Sequence, residues 1–83
     1  GVNHSVLFSE KGEILETEME IPVSRLPQGV ATYVAAHYKG QKIKEAAKIT
    51  NNKGEITYEA EIKGKDLIFD SNGKIINEGT ENN

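Results

Sequence analysis

The sequence predicts an α+β fold: one main helix packed across an antiparallel sheet, in the order ββαββββ. Three observations carry this. Apolar and polar residues alternate with period two through "HSVLFSE", "ILETEMEI", "KIKEAAKIT" and "EITYEAEI". A single stretch, Gln28–Tyr38, has helical spacing instead. Glycine-bearing turn signals ("EKGE", "NNKG", "KGK", "SNGK") separate the alternating runs. Period two marks a strand with one wet face, and period 3.6 marks an amphipathic helix.

Residues 2–21 read as a hairpin. Val6 and Phe8 share one face of its first strand, and Gly12 supplies positive φ for the turn. In the second strand Leu15, Thr17, Met19 and Ile21 oppose Ile14, Glu16, Glu18 and Glu20.

Pro22 ends the hairpin, because a proline inside a central strand removes a ladder hydrogen bond. Pro27 suits the first turn of a helix. Val30, Tyr33, Val34, His37 and Tyr38 then form one apolar stripe. Gly29 is the weak point, costing about 1 kcal/mol in a helix interior. Gly40 and Lys39 suit the helix end.

With Asn52-Lys53 as a two-residue loop, Ile43, Glu45, Ala47 and Ile49 face Ile56, Tyr58, Ala60 and Ile62. Lys44 and Lys48 then meet Glu61 and Thr57 on the other face. Glu45 is the misfit, a carboxylate opposite Ala60. "DLIFD" and "IINE" make a final pair of strands, and 79–83 form a frayed polar tail.

The expected core is Val6, Phe8, Leu15, Met19, Ile21, Leu26, Val30, Tyr33, Val34, Ile43, Ile49, Ile56, Tyr58, Ile62, Leu67 and Phe69. Residues 1–83 form one domain: the hairpin 2–21, the helix with a four-stranded unit over 22–78, and the tail. A chain of this size buries only about 60% of its unfolded surface, so the core is thin.

A net charge of −3 and a pI near 5.3 argue against a nucleic-acid binder. The absence of cysteine excludes disulfides, thiolate metal sites and cysteine nucleophiles. No apolar run approaches the roughly 20 residues that cross a bilayer, so membrane insertion is not expected. The chain opens at Gly1, not Met, and shows no basic-then-apolar leader, so a processed or trimmed chain with any leader already gone is the expectation.

"VLFSEKGEI", residues 6–14, matches "LIFDSNGKI", residues 67–75. The offset is a constant 61 residues, from Phe8 to Phe69, Gly12 to Gly73 and Ile14 to Ile75. Glycine-centred hairpins also arise by chance, but nine aligned positions favour true repetition. On that reading the hairpin 2–21 closes a preceding unit, and it extends the sheet or caps its edge instead of completing the core under the helix.

The ordered motifs "IPVSRLP", "YKG", "QKIKEA", "YEAEI" and "FDSNGKII" resemble those of the PepSY-like, β-lactamase-inhibitor-like periplasmic proteins. The resemblance spans roughly residues 6–78, with Lys39 standing where proline is common. It implies the fold of β-lactamase inhibitor proteins, a helix across an antiparallel sheet, and export to the periplasm or cell surface. Inhibition does not follow from it, because fold does not fix function.

No catalytic constellation is present, so an enzyme is not expected, and no cofactor is called for. His4 and His37 have no neighbours at metal-ligand spacing, and His37 reads as a half-buried helix residue packed on the sheet edge. Asp70 and Asn72 are weak calcium candidates: Gly73 comes too early for an EF-hand loop, and turn stabilisation explains both better. A polar sheet face of Lys42, Lys44, Lys48, Thr57, Glu59 and Glu61 is the candidate surface for an unidentified protein partner. Open strand edges offer a second route, self-association. The expected function is a non-enzymatic binding module of the cell envelope, with a calcium- or small-ligand-responsive periplasmic protein as the alternative.

Overall fold

The computed structural model describes residues 4–80. Positions 2–3 of the expected hairpin and 81–83 of the expected tail lie outside the described residues. Six strands form one antiparallel sheet in the order β1-β2-β3-β4-β5-β6. They are β1 (His4–Phe8), β2 (Ile14–Ile21), β3 (Glu45–Asn51), β4 (Ile56–Ile62), β5 (Lys65–Asp70) and β6 (Ile75–Thr80). Between β2 and β3 the chain leaves the sheet through a 3₁₀ turn, Val23–Arg25, and a helix α1, Gln28–His37. The expected order ββαββββ is the one observed.

Pro27 stands just before the helix, at its N-cap, with extended backbone. The helix stops at Tyr38, whose N–H donates to the Val34 carbonyl oxygen. Val30 and Val34 are fully or almost fully buried against Ala60, Ile62, Leu67 and Phe69. Leu26, Tyr33, Tyr38, Ile43 and Ile75 pack around this centre. Full burial of such a side chain contributes about 1.5–3 kcal/mol. The ring of Tyr33 meets Phe69 edge-on, with centroids 5.5 Å apart. The hydroxyls of Tyr33 and Tyr38 both donate to the Glu78 carboxylate and pin the helix to β6.

The core is narrower than the sequence suggests. The cluster under the helix draws its strand residues from β4, β5 and β6, with Ile43 added from the segment before β3, while Ala46 and Ala47 of β3 are buried outside that cluster. Val6, Phe8 and Leu15 are exposed, and Met19 and Ile21 are half-buried. The hairpin β1–β2 extends the sheet beyond β3, and the helix does not cover it. The tail expectation also needs correction, since Gly79 and Thr80 belong to β6 and pair with Asp66 and Lys65.

One register is corrected. Thr50, Lys48 and Ala46 face Ile56, Tyr58 and Ala60, while Glu45, Ala47 and Ile49 face Glu61, Glu59 and Thr57. The cause is the loop. Asn51 pairs with Glu55 around three residues, 52–54, instead of two. Gly54 takes φ +82° at the third of them, as a type I turn closed by a bulge requires. The Asn51 Oδ1 accepts the N–H groups of Lys53 and Glu55, each at 2.9 Å, and so selects this loop. A one-residue slip sends every β3 side chain to the opposite face. Ile49 therefore leaves the helix side, Ala46 enters it, and Glu45 no longer sits opposite Ala60.

Candidate functional site

The face of the sheet away from the helix is acidic. Strand alternation and the observed registers put Glu16, Glu18 and Glu20 of β2 on it, with Glu45 of β3, Glu59 and Glu61 of β4, and Asp66 of β5. Glu45, Glu61 and Asp66 stand directly opposite one another across three consecutive strands. Like charges in that position destabilise a sheet. Ala47 lies between Glu20 and Glu59 in the neighbouring row. Its small side chain forms the floor of a depression of about 200 Å³, rimmed by Ser5, Glu18, Glu20, Glu45, Glu59 and Glu61.

Glu59 is the most perturbed group. Partial burial, followed by the negative charges of Asp66, Glu18, Glu61 and Glu45, pushes its pKa up to about 7. Desolvation and like charge act in the same direction here, both against the ionised form. Beside it, Asp66 Oδ1 is shielded from solvent and accepts no hydrogen bond within the described structure. Such an atom carries a desolvation cost that a donor or cation would relieve.

The expected binding face is divided. Thr57, Glu59 and Glu61 lie on the open face. Lys48 lies on the helix side between Met19 and Tyr58, sent there by the three-residue loop. Lys42 and Lys44 are exposed in the segment entering β3, where the Lys44 N–H donates to the Glu61 carbonyl oxygen at 2.7 Å. The mixed face of lysines and glutamates is thus a nearly uniform anionic one. Its sequence signal was the run Glu16-Glu18-Glu20 together with the misfit of Glu45.

Asp70 and Asn72 occupy the turn between β5 and β6. The Asp70 Oδ1 accepts the N–H groups of Asn72 and Lys74, each at 2.9 Å. Ser9 in the first hairpin and Asn51 in the middle one accept from the same two relative positions. The carboxylate thus does turn work that a hydroxyl and an amide do elsewhere in this chain. Among the described residues no group of three or more His, Asp or Glu side chains is arranged to hold a metal ion. His4 is exposed on β1. His37 is exposed too, not packed on the sheet edge, and stacks on Tyr33 with centroids 4.3 Å apart. No helix among the described residues is long and apolar enough to cross a membrane.

Comparison with known proteins bears on the whole chain. The family model described as beta-lactamase-inhibitor-like, PepSY-like matches residues 2–77. A crystal structure of a DUF2874 family protein from Bacteroides uniformis superposes with a TM-score of 0.79 at 17% identity. The match covers 96% of this chain and 64% of that one, so the chain spans somewhat under two thirds of that protein. No curated protein matches.

Proposed function

The chain belongs to the beta-lactamase-inhibitor-like, PepSY-like family, and on that footing we propose that it is a non-enzymatic binding module of the cell envelope that docks a cationic segment of a protein partner on the open face of its sheet. The observation that carries this reading is the row Glu45, Glu61 and Asp66 beside Glu59. Stacking like charges costs folding stability, and nothing in the core requires it. A lysine- or arginine-bearing partner would turn that cost into complementarity and raise the rate of encounter. Glu59 and Glu61, with Thr57 on the adjacent row, supply acceptors for its N–H donors.

The family name suggests protein partners and an extracytoplasmic setting, and the charge of this face says what such a partner presents. The calcium-responsive alternative rested on Asp70, whose Oδ1 is engaged by its own turn.

Affinity capture from an envelope extract tests the reading. The wild-type chain is compared with a variant carrying Glu18→Gln, Glu45→Gln and Glu61→Gln, and with Lys48→Glu on the opposite face. Capture by the wild type and by Lys48→Glu, release by salt, and loss in the triple variant are expected. A partner held equally well by the triple variant would mean that the open face is the wrong surface.

A further inference from the structure

The sheet that carries the acidic row on its open face carries cations on the helix side. There Met19, Lys48, Tyr58 and Phe69 stand in one row across β2, β3, β4 and β5. The row on one flank is Ile21, Ala46, Ala60 and Leu67, and on the other flank lie Thr17, Thr50 and Ile56. Every residue directly or diagonally across from Lys48 on that face is therefore uncharged. Lys48 is nonetheless half-buried. Lysines rarely withdraw from water unless they are paired. The three-residue loop between β3 and β4 sends this one to a place where the sheet itself offers no counter-charge.

Lys48 lines a groove of about 320 Å³ between the sheet and the segment that leaves β2. The 3₁₀ turn Val23–Arg25 supplies part of its wall. The Arg25 N–H donates to the Pro22 carbonyl oxygen at 2.9 Å, and this turn returns Arg25 to the end of β2. Arg25 and Lys48 are the two cations of the groove, and Met19, Ile21, Pro22 and Tyr58 give it an apolar wall. Glu20 is the one acidic residue on the lining, and strand alternation assigns its side chain to the open face. A mostly apolar concavity with a few convergent polar groups is the usual form of a small-ligand site, and the volume falls in the usual range.

We propose that this groove binds a small monocarboxylate with a short apolar tail, its carboxylate held by Lys48 and Arg25 and its tail lying against Met19, Ile21 and the ring of Tyr58. The charge of the lining selects the head group. Arg25 and Lys48 against Glu20 leave a net charge of +1, which a singly charged anion matches. A phosphate monoester brings close to two charges and overshoots it. The guanidinium fork of Arg25 suits a carboxylate, which it can take through two parallel N–H···O bonds, and the Lys48 ammonium adds a further charge-assisted bond. The apolar wall selects the tail, because covering Met19 and Ile21 removes apolar surface of both partners from water. The groove lies across the sheet from the acidic face, so this inference and the docking of a cationic partner stand or fall separately.

The test titrates the chain with octanoate, below the concentration at which it forms micelles, and follows the backbone amides by NMR. Octanamide, acetate and inorganic phosphate are the comparison probes. Saturable shifts centred on Ile21, Arg25, Lys48 and Tyr58 are expected with octanoate. Octanamide lacks the charge and acetate lacks the tail, so each is expected to bind at least about tenfold more weakly, as is phosphate. Lys48→Met keeps the length and apolar stem of the side chain and is expected to weaken octanoate about tenfold. Arg25→Gln lies on an exposed turn outside the core and is expected to act in the same direction. The spectra of both variants report directly that the fold is kept. Four results would overturn the proposal: no saturable shift, binding of octanamide or phosphate as tight as that of octanoate, shifts centred instead on the exposed Val6 and Phe8, or undiminished octanoate binding in both variants.

Discussion

Gly29 and Gly73 meet backbone to backbone: a Cβ added at Gly29 would lie 2.8 Å from the Gly73 carbonyl oxygen, and one added at Gly73 would lie 3.1 Å from the Gly29 Cα. The contact joins the first turn of the helix to the turn between β5 and β6, and it lets the helix sit low enough to bury Val30 and Phe69 completely. Read from the sequence, Gly29 is a weakness in the helix. In the fold it is the position where the helix can approach the sheet.

Replacing Gly29 by Ala therefore reverses a usual sign. In an ordinary helix interior the change stabilises by about 0.5–1 kcal/mol. Here the methyl meets a carbonyl oxygen that belongs to a constrained turn. Overpacking of this kind costs about 1–3 kcal/mol, and for a domain of this size each kcal/mol lowers Tm by about 4–8 °C. Thermal melts of the Gly29→Ala variant check this, with Ala36→Gly on the exposed side of the helix as the measure of propensity alone. A melting temperature raised by Gly29→Ala would mean that the helix and turn are not in contact.

Glu59 makes stability depend on pH in a direction unusual for a carboxylate. Its pKa stands at about 7 in the folded chain against 4.5 for the ordinary group. Between these values the folded chain holds a proton that the unfolded chain has released, so stability falls as pH rises. The contribution is complete below about pH 4.5 and lost above about pH 7. Because the side chain is only half-buried, solvent screening holds the effect to on the order of 1 kcal/mol. Urea midpoints at pH 5 and pH 8 measure it. Glu59→Gln is expected to flatten the difference, and an undiminished difference in that variant would assign it to another group.

What the sequence made legible follows from how locally each feature is specified. Strand alternation, the helix stripe and the turns between strands depend on neighbours within a few residues, and the order ββαββββ was readable from them. The β3–β4 register depended on one loop residue more or less. Lys48 and Glu61 share a face in a two-residue loop, and the Asn51 side chain is the signal that selects three. The exposure of Phe8 was not legible locally. Phe8 and Phe69 stand in nearly the same nine-residue sentence, and only the position of α1, set by contacts distant in sequence, covers one of them.

Asp70 can be tested as a turn residue against its reading as a metal ligand. Removing its side chain leaves the N–H groups of Asn72 and Lys74 without their acceptor, at a cost of about 1 kcal/mol for Asp70→Ala. Asp70→Asn keeps an acceptor in place, as Asn51 does in the middle turn, and is expected to be nearly neutral. Melts of the three proteins with and without millimolar calcium separate the readings. The expected outcome is the order wild type, Asn, then Ala, with no shift on adding calcium. A calcium-dependent rise that Asp70→Asn abolishes would restore the metal site.

Glu45 offers the clearest opposition between stability and the proposed binding. It stands opposite Glu61, with Asp66 next in the same row. Glu45→Gln removes one member of a like-charged row, and Glu45→Lys places an opposite charge beside Glu61. Cross-strand pairs of this kind are worth about 0.2–1 kcal/mol, so both variants are expected to raise the urea midpoint, lysine more than glutamine. The gain should shrink in high salt, since Glu45 is exposed and its charge is screened. The same variants should lose capture of a cationic partner in the same order. A chain made more stable and less able to bind by one substitution would tie the cost of the acidic row to its use. A Glu45→Lys variant with a lowered midpoint at low salt would instead show that the row is not a net cost to folding, and the charge argument for the open face would fail.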